Sequence, residues 1–232
     1  MTSFCRFDLR TTDAEGARAF YARLLGHERA RIWPLHEQAI ARGARPHWLG
    51  HLEVEDAERT AAAFVERGAV RFGPTMALRD GGQAVVLRDP GGAVVAVSSG
   101  LPAATPSAEV VFHVLNTTDA ARAMANYCAL FGWANVDRLD VGEGLAIDRF
   151  AWRAGGASVG AIADVTGRPG VHPHWLFFFE VPALEPAMAL TREAGGLVLP
   201  PTVLPDGTRV CVCDDPQGAT FALREGPRAR AG

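Results

Sequence analysis

The sequence predicts an α+β fold built twice in tandem, with the first copy shortened by about one hairpin. Two observations carry this expectation. The stretch TTDAEGARAFYARLLG, Thr11 to Gly26, recurs 106 residues later as TTDAARAMANYCALFG, Thr117 to Gly132. Pro-His-Trp-Leu stands at Pro46–Leu49 and again 127 residues on, at Pro173–Leu176, and two Asp-Pro-x-Gly runs, from Asp89 and Asp215, lie 126 residues apart. Self-similarity at a nearly fixed offset marks a repeated structural unit. The jump in offset puts a 21-residue deficit in the first copy, between Gly26 and Pro46.

Each copy follows one plan. An apolar strand (FCRFDLR; VVFHVLN) leads to an aspartate, Asp13 or Asp119, placed to cap a helix, and a glycine, Gly26 or Gly132, is placed to end it. Tyr21 and Tyr127 fall inside these helices and are expected to pack beneath a sheet. A second strand (HWLGHLEV; HWLFFFEV) precedes a second helix (AERTAAAFVERG; LEPAMALTREAGG), and further strands flank the Asp-Pro-x-Gly turn. Where the lengths differ, the second copy shows strand-like runs, LAIDRFAWRAGG and SVGAIADV. The first copy instead reads as a helix over 34–42, with Pro34 near its first turn and Gly43 as its cap. The expected division is a first domain over 1–100, a Pro- and Ala-rich linker over 101–108, a second domain over 109–226 and a tail over 227–232.

Composition narrows the function. All 23 basic residues are arginine, which excludes chemistry that needs a lysine amine, such as Schiff-base or P-loop catalysis. A net charge of -3 offers no broad basic surface for nucleic acid. No apolar run approaches the roughly 18 residues of a membrane helix, and no secretory signal precedes the first strand, so a cytoplasmic protein is expected. The four cysteines, Cys5, Cys128, Cys211 and Cys213, form no disulfide framework, although Cys211 and Cys213 alternate on one face of a strand-like run. A small-molecule ligand is therefore the expected partner, with neither nucleic acid nor membrane, and self-association is left open as a homo-oligomer.

The order of these motifs, found twice, resembles the vicinal oxygen chelate superfamily of glyoxalases, bleomycin-resistance proteins and extradiol dioxygenases, in its two-domain glyoxalase-like branch. The resemblance implies βαβββ units that pair to curl a sheet into a cup, which often holds a divalent metal. It implies no one reaction. It also implies where metal ligands would stand: Arg6, Leu49 and Ala96 in the first copy, Phe112, Leu176 and Ala222 in the second. None offers a metal-binding atom, so no metal cofactor is expected at the family's usual place.

Period-two alternation puts His47, Leu49, His51 and Glu53 on one face of their strand, and Arg6, Asp8 and Arg10 on one face of theirs. A displaced divalent metal at Asp8, His51 and Glu53 is one alternative; neutralisation of Asp8 and Glu53 by Arg6 and Arg10 is the other. In the second copy the matching face carries Phe112, Val114, His174, Leu176, Phe178 and Glu180, an apolar surface with two polar handles. His174 and Glu180, with His51 and Glu53, are the candidates for metal-free acid/base work, in a lyase, isomerase or dioxygenase. His36 and Glu37 belong to the substituted helix and are expected to face solvent, His113 to point away from the cup, and His27 merely to follow a helix end. The leading expectation is a protein that binds a small, partly apolar molecule without the usual metal; a non-catalytic interaction protein is a further alternative.

Overall fold

A computed structural model of the protein describes residues 1–26, 31–102, 110–142 and 144–226. His27, most of the expected linker and the expected tail lie outside the described residues. In the first copy the elements are β1 (Phe4–Thr11), α1 (Ala14–Leu25), β2 (Arg31–Pro34), α2 (Glu37–Ala41), β3 (His47–Glu53), α3 (Ala57–Glu66), β4 (Val70–Arg71), β5 (Met76–Ala77), β6 (Gln83–Arg88) and β7 (Val94–Ser99). The second copy holds β8 (Val110–Thr117), α4 (Ala120–Phe131), β9 (Ala134–Asp140), β10 (Ala146–Ala151), β11 (Gly160–Asp164), β12 (His174–Val181), α5 (Leu184–Glu193), β13 (Leu197–Val198), β14 (Thr202–Val203), β15 (Arg209–Asp214) and β16 (Thr220–Glu225).

Local chemistry sets the helix ends. The Asp13 and Asp119 carboxylates accept from the Gly16 and Arg122 amides at 3.0 Å, satisfying first-turn N–H groups that have no intrahelical partner. Gly26 and Gly132 close the same helices at φ 72° and 73°, the left-handed region that a glycine enters without a Cβ penalty.

Among the described residues the strands form a seven-stranded sheet, β2-β1-β3-β7-β6-β4 with β5 also on β6, and a nine-stranded sheet, β13-β15-β16-β12-β8-β11-β10-β9 with β14 also on β15. The register identifies what the first copy lacks. β2 lies parallel to β1, with Thr11 opposite Pro34, as β11 lies parallel to β8, with Thr117 opposite Asp164. Among the described residues the antiparallel β9–β10 pair has no counterpart, so the deficit there is one hairpin.

The helix expected over 34–42 is corrected. Pro34 ends strand β2, and the helix is only Glu37–Ala41, capped by His36 Nδ1 accepting from the Gln38 amide at 3.2 Å. Proline is tolerated there because β2 is an edge strand, where a missing N–H breaks no ladder. His36 and Glu37 are exposed, as expected.

Two compact units make up the chain, and each draws on both copies of the repeat. The first comprises Met1–Arg6, Leu49–Thr105 and His113–Trp175; the second Phe7–Trp48, Pro106–Phe112 and Leu176–Gly232. The first unit's core sets Phe64 of α3 edge-on to Tyr127 of α4 at 5.6 Å, with Trp133 stacked on Phe150 at 4.5 Å. In the second unit Tyr21, Trp48, Phe179 and Phe221 pack with ring centres 5.0 to 6.4 Å apart. Such rings supply large apolar burial in edge-on, tilted or stacked arrangements.

Candidate functional site

In the second unit, β12 carries two faces. Phe179, and Phe221 on neighbouring β16, meet the helix-borne Tyr21. Alternation therefore turns Leu176, Phe178 and Glu180 to the opposite face. There Phe178 lies in register with Ala222, and Ala222 with Val212 of β15. Phe112 meets Phe178 edge-on at 5.9 Å and 89°. Leu176, Phe178 and Ala222 are buried, whereas Phe112 and Val212 keep part of their surface. At the strand end Glu180, exposed, is in register with Arg224. The result is an apolar floor with a carboxylate and a guanidinium at one margin. Such a floor takes apolar surface from water, and its charged margin can orient a polar group.

The second unit also holds Asp8, fully buried, with Arg10 at 3.6 Å, and His47, whose Nδ1 donates to the Arg45 carbonyl at 2.8 Å. Burial holds the His47 pKa below the usual imidazole range, so its neutral form is favoured.

The first unit presents a more polar set. His51 of β3 is 1% exposed, and its Nδ1 lies 2.8 Å from the Ser98 hydroxyl on β7. Imidazole and hydroxyl can hold a proton between them in either sense. Arg6 Nη1 donates to Asp80 Oδ1 at 2.6 Å. This arginine thus has a carboxylate partner in the turn after β5 that the expectation did not name, while Glu53 is exposed at the end of β3. Neither Asp80 nor Ser98 carries a local sequence signal, because each meets its partner from a distant strand or turn.

His174 lies half-buried in the first unit. Its Nδ1 donates to the His172 carbonyl at 2.7 Å, which leaves Nε2 to accept from the Asn116 amide at 3.4 Å in the neutral ring. Val114 of β8 is half-buried opposite Ala161. His113 is buried; its Nδ1 donates to the Val159 carbonyl at 2.8 Å and its ring stacks on Phe4 at 5.0 Å. Burial pushes its pKa down to about 4.

The six positions implied for metal ligands do not fit a divalent cation. Arg6 brings a positive charge already bound to a carboxylate, Leu49, Phe112 and Leu176 bring hydrocarbon, and Ala96 and Ala222 are fully buried methyl groups. Among the described residues, no three His, Cys, Asp or Glu side chains converge as a metal-holding group.

Two sheets assembled from βαβββ-like units, one of them short by a hairpin, give the tandem vicinal oxygen chelate fold. Residues 110–223 match the Glyoxalase/Bleomycin resistance protein/Dioxygenase superfamily. The chain is 27% identical, over a 245-residue alignment covering 93% of it and 92% of the relative, to "Putative glyoxylase CFP32" of Mycobacterium bovis, and equally to the Mycobacterium tuberculosis protein of that name. Solved structures of similar fold include the 2,3-dioxygenase LapB of Pseudomonas sp. KL28, with a TM-score of 0.63 at 13% identity over 95% of this chain and 91% of that one. The Mn(II)-bound glyoxalase of Novosphingobium aromaticivorans gives 0.60 at 13% identity over 97% and 83%. At these identities the structural likeness shows the fold alone. No helix among the described residues is long and apolar enough to cross a membrane.

Proposed function

We propose that this protein binds a small, partly apolar molecule on the face of β12 and β16 that carries Leu176, Phe178 and Ala222, and does so without the divalent metal triad of the superfamily that residues 110–223 match. The observation that carries the reading is the Phe112–Phe178 pair beside Ala222, with Phe112 and Ala222 at two of the positions where the resemblance implies metal ligands. An edge-on aromatic pair offers a flat apolar contact, and Glu180 and Arg224 supply charges of both signs for a ligand's polar end. The relatives named glyoxylase and the superfamily match support a small molecule rather than a macromolecule as the partner.

Protein purified without chelator and screened by thermal shift against small aromatic acids and amines tests this. Stabilisation by such a compound, weakened in Phe112→Ala and Arg224→Ala, with metal well below stoichiometric, is the expected result. Stoichiometric zinc, nickel, manganese or iron, lost in Asp8→Ala or His51→Ala, would overturn it in favour of a displaced metal. Turnover abolished by His174→Ala or Glu180→Ala would instead establish a metal-free acid/base enzyme. A screen with no ligand at all favours an interaction protein.

A further inference from the structure

Cys211 and Cys213 are alternate residues of β15, so both side chains leave the same face, and their sulfurs lie 3.7 Å apart. Both residues are buried, and Cys211 Sγ also donates to the Leu199 carbonyl at 3.1 Å. The fold itself does not ask for thiols here. In the first unit the corresponding strand is β6, where Val85 and Leu87 face Val97 and Val95 just as Cys211 and Cys213 face Leu223 and Phe221. Val85 and Leu87 are fully buried, so hydrocarbon fills the same role completely.

The thiols share the face of Phe221, which meets Tyr21 of α1, and β15 lies beside a weakly held edge of its sheet. β13 and β14 are two-residue strands, each joined to β15 by two register pairs, and Leu197, Leu199 and Val203 are exposed. Short edges of this kind open at low free energy and admit small solutes without global unfolding. The hydrogen bond from Cys213 holds the Cys211 thiol below its usual pKa against the opposing effect of burial, and the Arg192 charge acts in the same direction. Cys211 is thus the more ready nucleophile of the two.

We propose that Cys211 and Cys213 form a dithiol site that a peroxide converts to an intrastrand disulfide. The Cys211 thiolate attacks the peroxide oxygen, the O–O bond breaks, and hydroxide leaves to become water, giving a sulfenic acid. Cys213 then attacks that sulfur and the sulfenic oxygen departs as the second water. Two thiols lose two electrons and two protons, and one hydrogen peroxide is reduced to two waters. Alternate Cα atoms of an extended strand are about 6.6 Å apart, within the span of up to about 6.8 Å that a disulfide bridges. The Cβ atoms must also approach to about 4.5 Å, so closing the bridge takes a local contraction of β15 as well as side-chain rotation.

The test is peptide mapping of the intact protein after hydrogen peroxide, with remaining thiols alkylated in denaturant. The peptide holding Cys211 and Cys213 is expected to be two hydrogens lighter and unalkylated, while Cys5 and Cys128 stay alkylatable. Recovery of that peptide with both thiols alkylated, or a disulfide that joins two molecules instead, overturns the proposal. The double variant Cys211→Val, Cys213→Leu restores the first unit's pair and is expected to melt like the parent yet show no two-hydrogen shift. Persistence of the shift in that variant also overturns the proposal, and the parent's map stands without it.

Discussion

The Tyr21 hydroxyl donates to Asp215 Oδ2 at 3.1 Å, joining a helix of the first copy to the Asp-Pro-x-Gly turn of the second across 194 residues. The same bond is made in the other unit from Tyr127 to Asp89 Oδ2 at 3.2 Å. Each tyrosine in turn accepts from an indole of its own copy, Trp48 at 3.0 Å or Trp175 at 3.2 Å. All three repeated motifs thus meet in one buried network, made twice with the copies exchanged. Removal of the hydroxyl in Tyr21→Phe strands both the Trp48 N–H and an Asp215 oxygen, at a cost of about 1–3 kcal/mol. A drop in melting temperature and an equal drop for Tyr127→Phe are expected by calorimetry.

Burial raises the carboxyl pKa of Asp215 and of Asp89 above the usual range, against the opposing effect of the backbone and tyrosine hydrogen bonds. The folded state therefore holds these protons more tightly than the unfolded chain. Their contribution to stability falls as pH rises from the ordinary carboxylate range, near 4, through the raised values, and is constant beyond. Unfolding measured against pH is expected to show a parent-minus-variant difference that declines with pH for Asp215→Asn and Asp89→Asn. A difference that rises over that window would contradict the assignment.

His113 works in the opposite sense. Its folded pKa of about 4 lies below the ordinary 6.5, so the unfolded chain takes the proton first and stability is lost as pH falls through that window. The loss below pH 4 amounts to about 3 kcal/mol. His113→Phe keeps a ring against Phe4 and is expected to flatten acid denaturation between those values, read by circular dichroism.

The two Asp-Pro-x-Gly turns differ in one residue, Gly91 against Gln217. A Cβ on Gly91 would stand 1.9 Å from the Thr117 hydroxyl, itself fully buried and bonded to the Asp119 amide at 3.4 Å. Gly91→Ala is expected to destabilise by about 1–3 kcal/mol through overpacking, whereas Gln217→Ala, where a side chain is already housed, is expected to cost less. Chemical denaturation of both variants checks the ordering.

Local rules carried far into this chain. Asp13, Asp119, Gly26 and Gly132 act at the helix ends where a capping pattern puts them, because capping bonds span only three or four residues. Gly92 and Gly218 adopt φ 104° and 92° in their turns for an equally local reason. Strand β2 escaped detection because four residues ending in proline carry no clear alternation, and only the partner β1 makes them a strand. The Asp80 partner of Arg6 escaped for the same kind of reason, being 74 residues away.

By itself the sequence determined the doubled plan, the missing hairpin and the absence of donor atoms at six positions, since residue type and spacing settle each of these. Only the tertiary structure decided which copy supplies which partner. The exchange of Tyr21 with Asp215 and Tyr127 with Asp89, the His51–Ser98 contact, and the convergence of Phe112 with Phe178 depend on distances between remote segments. Packing sets such distances, and packing leaves no periodic trace along the chain.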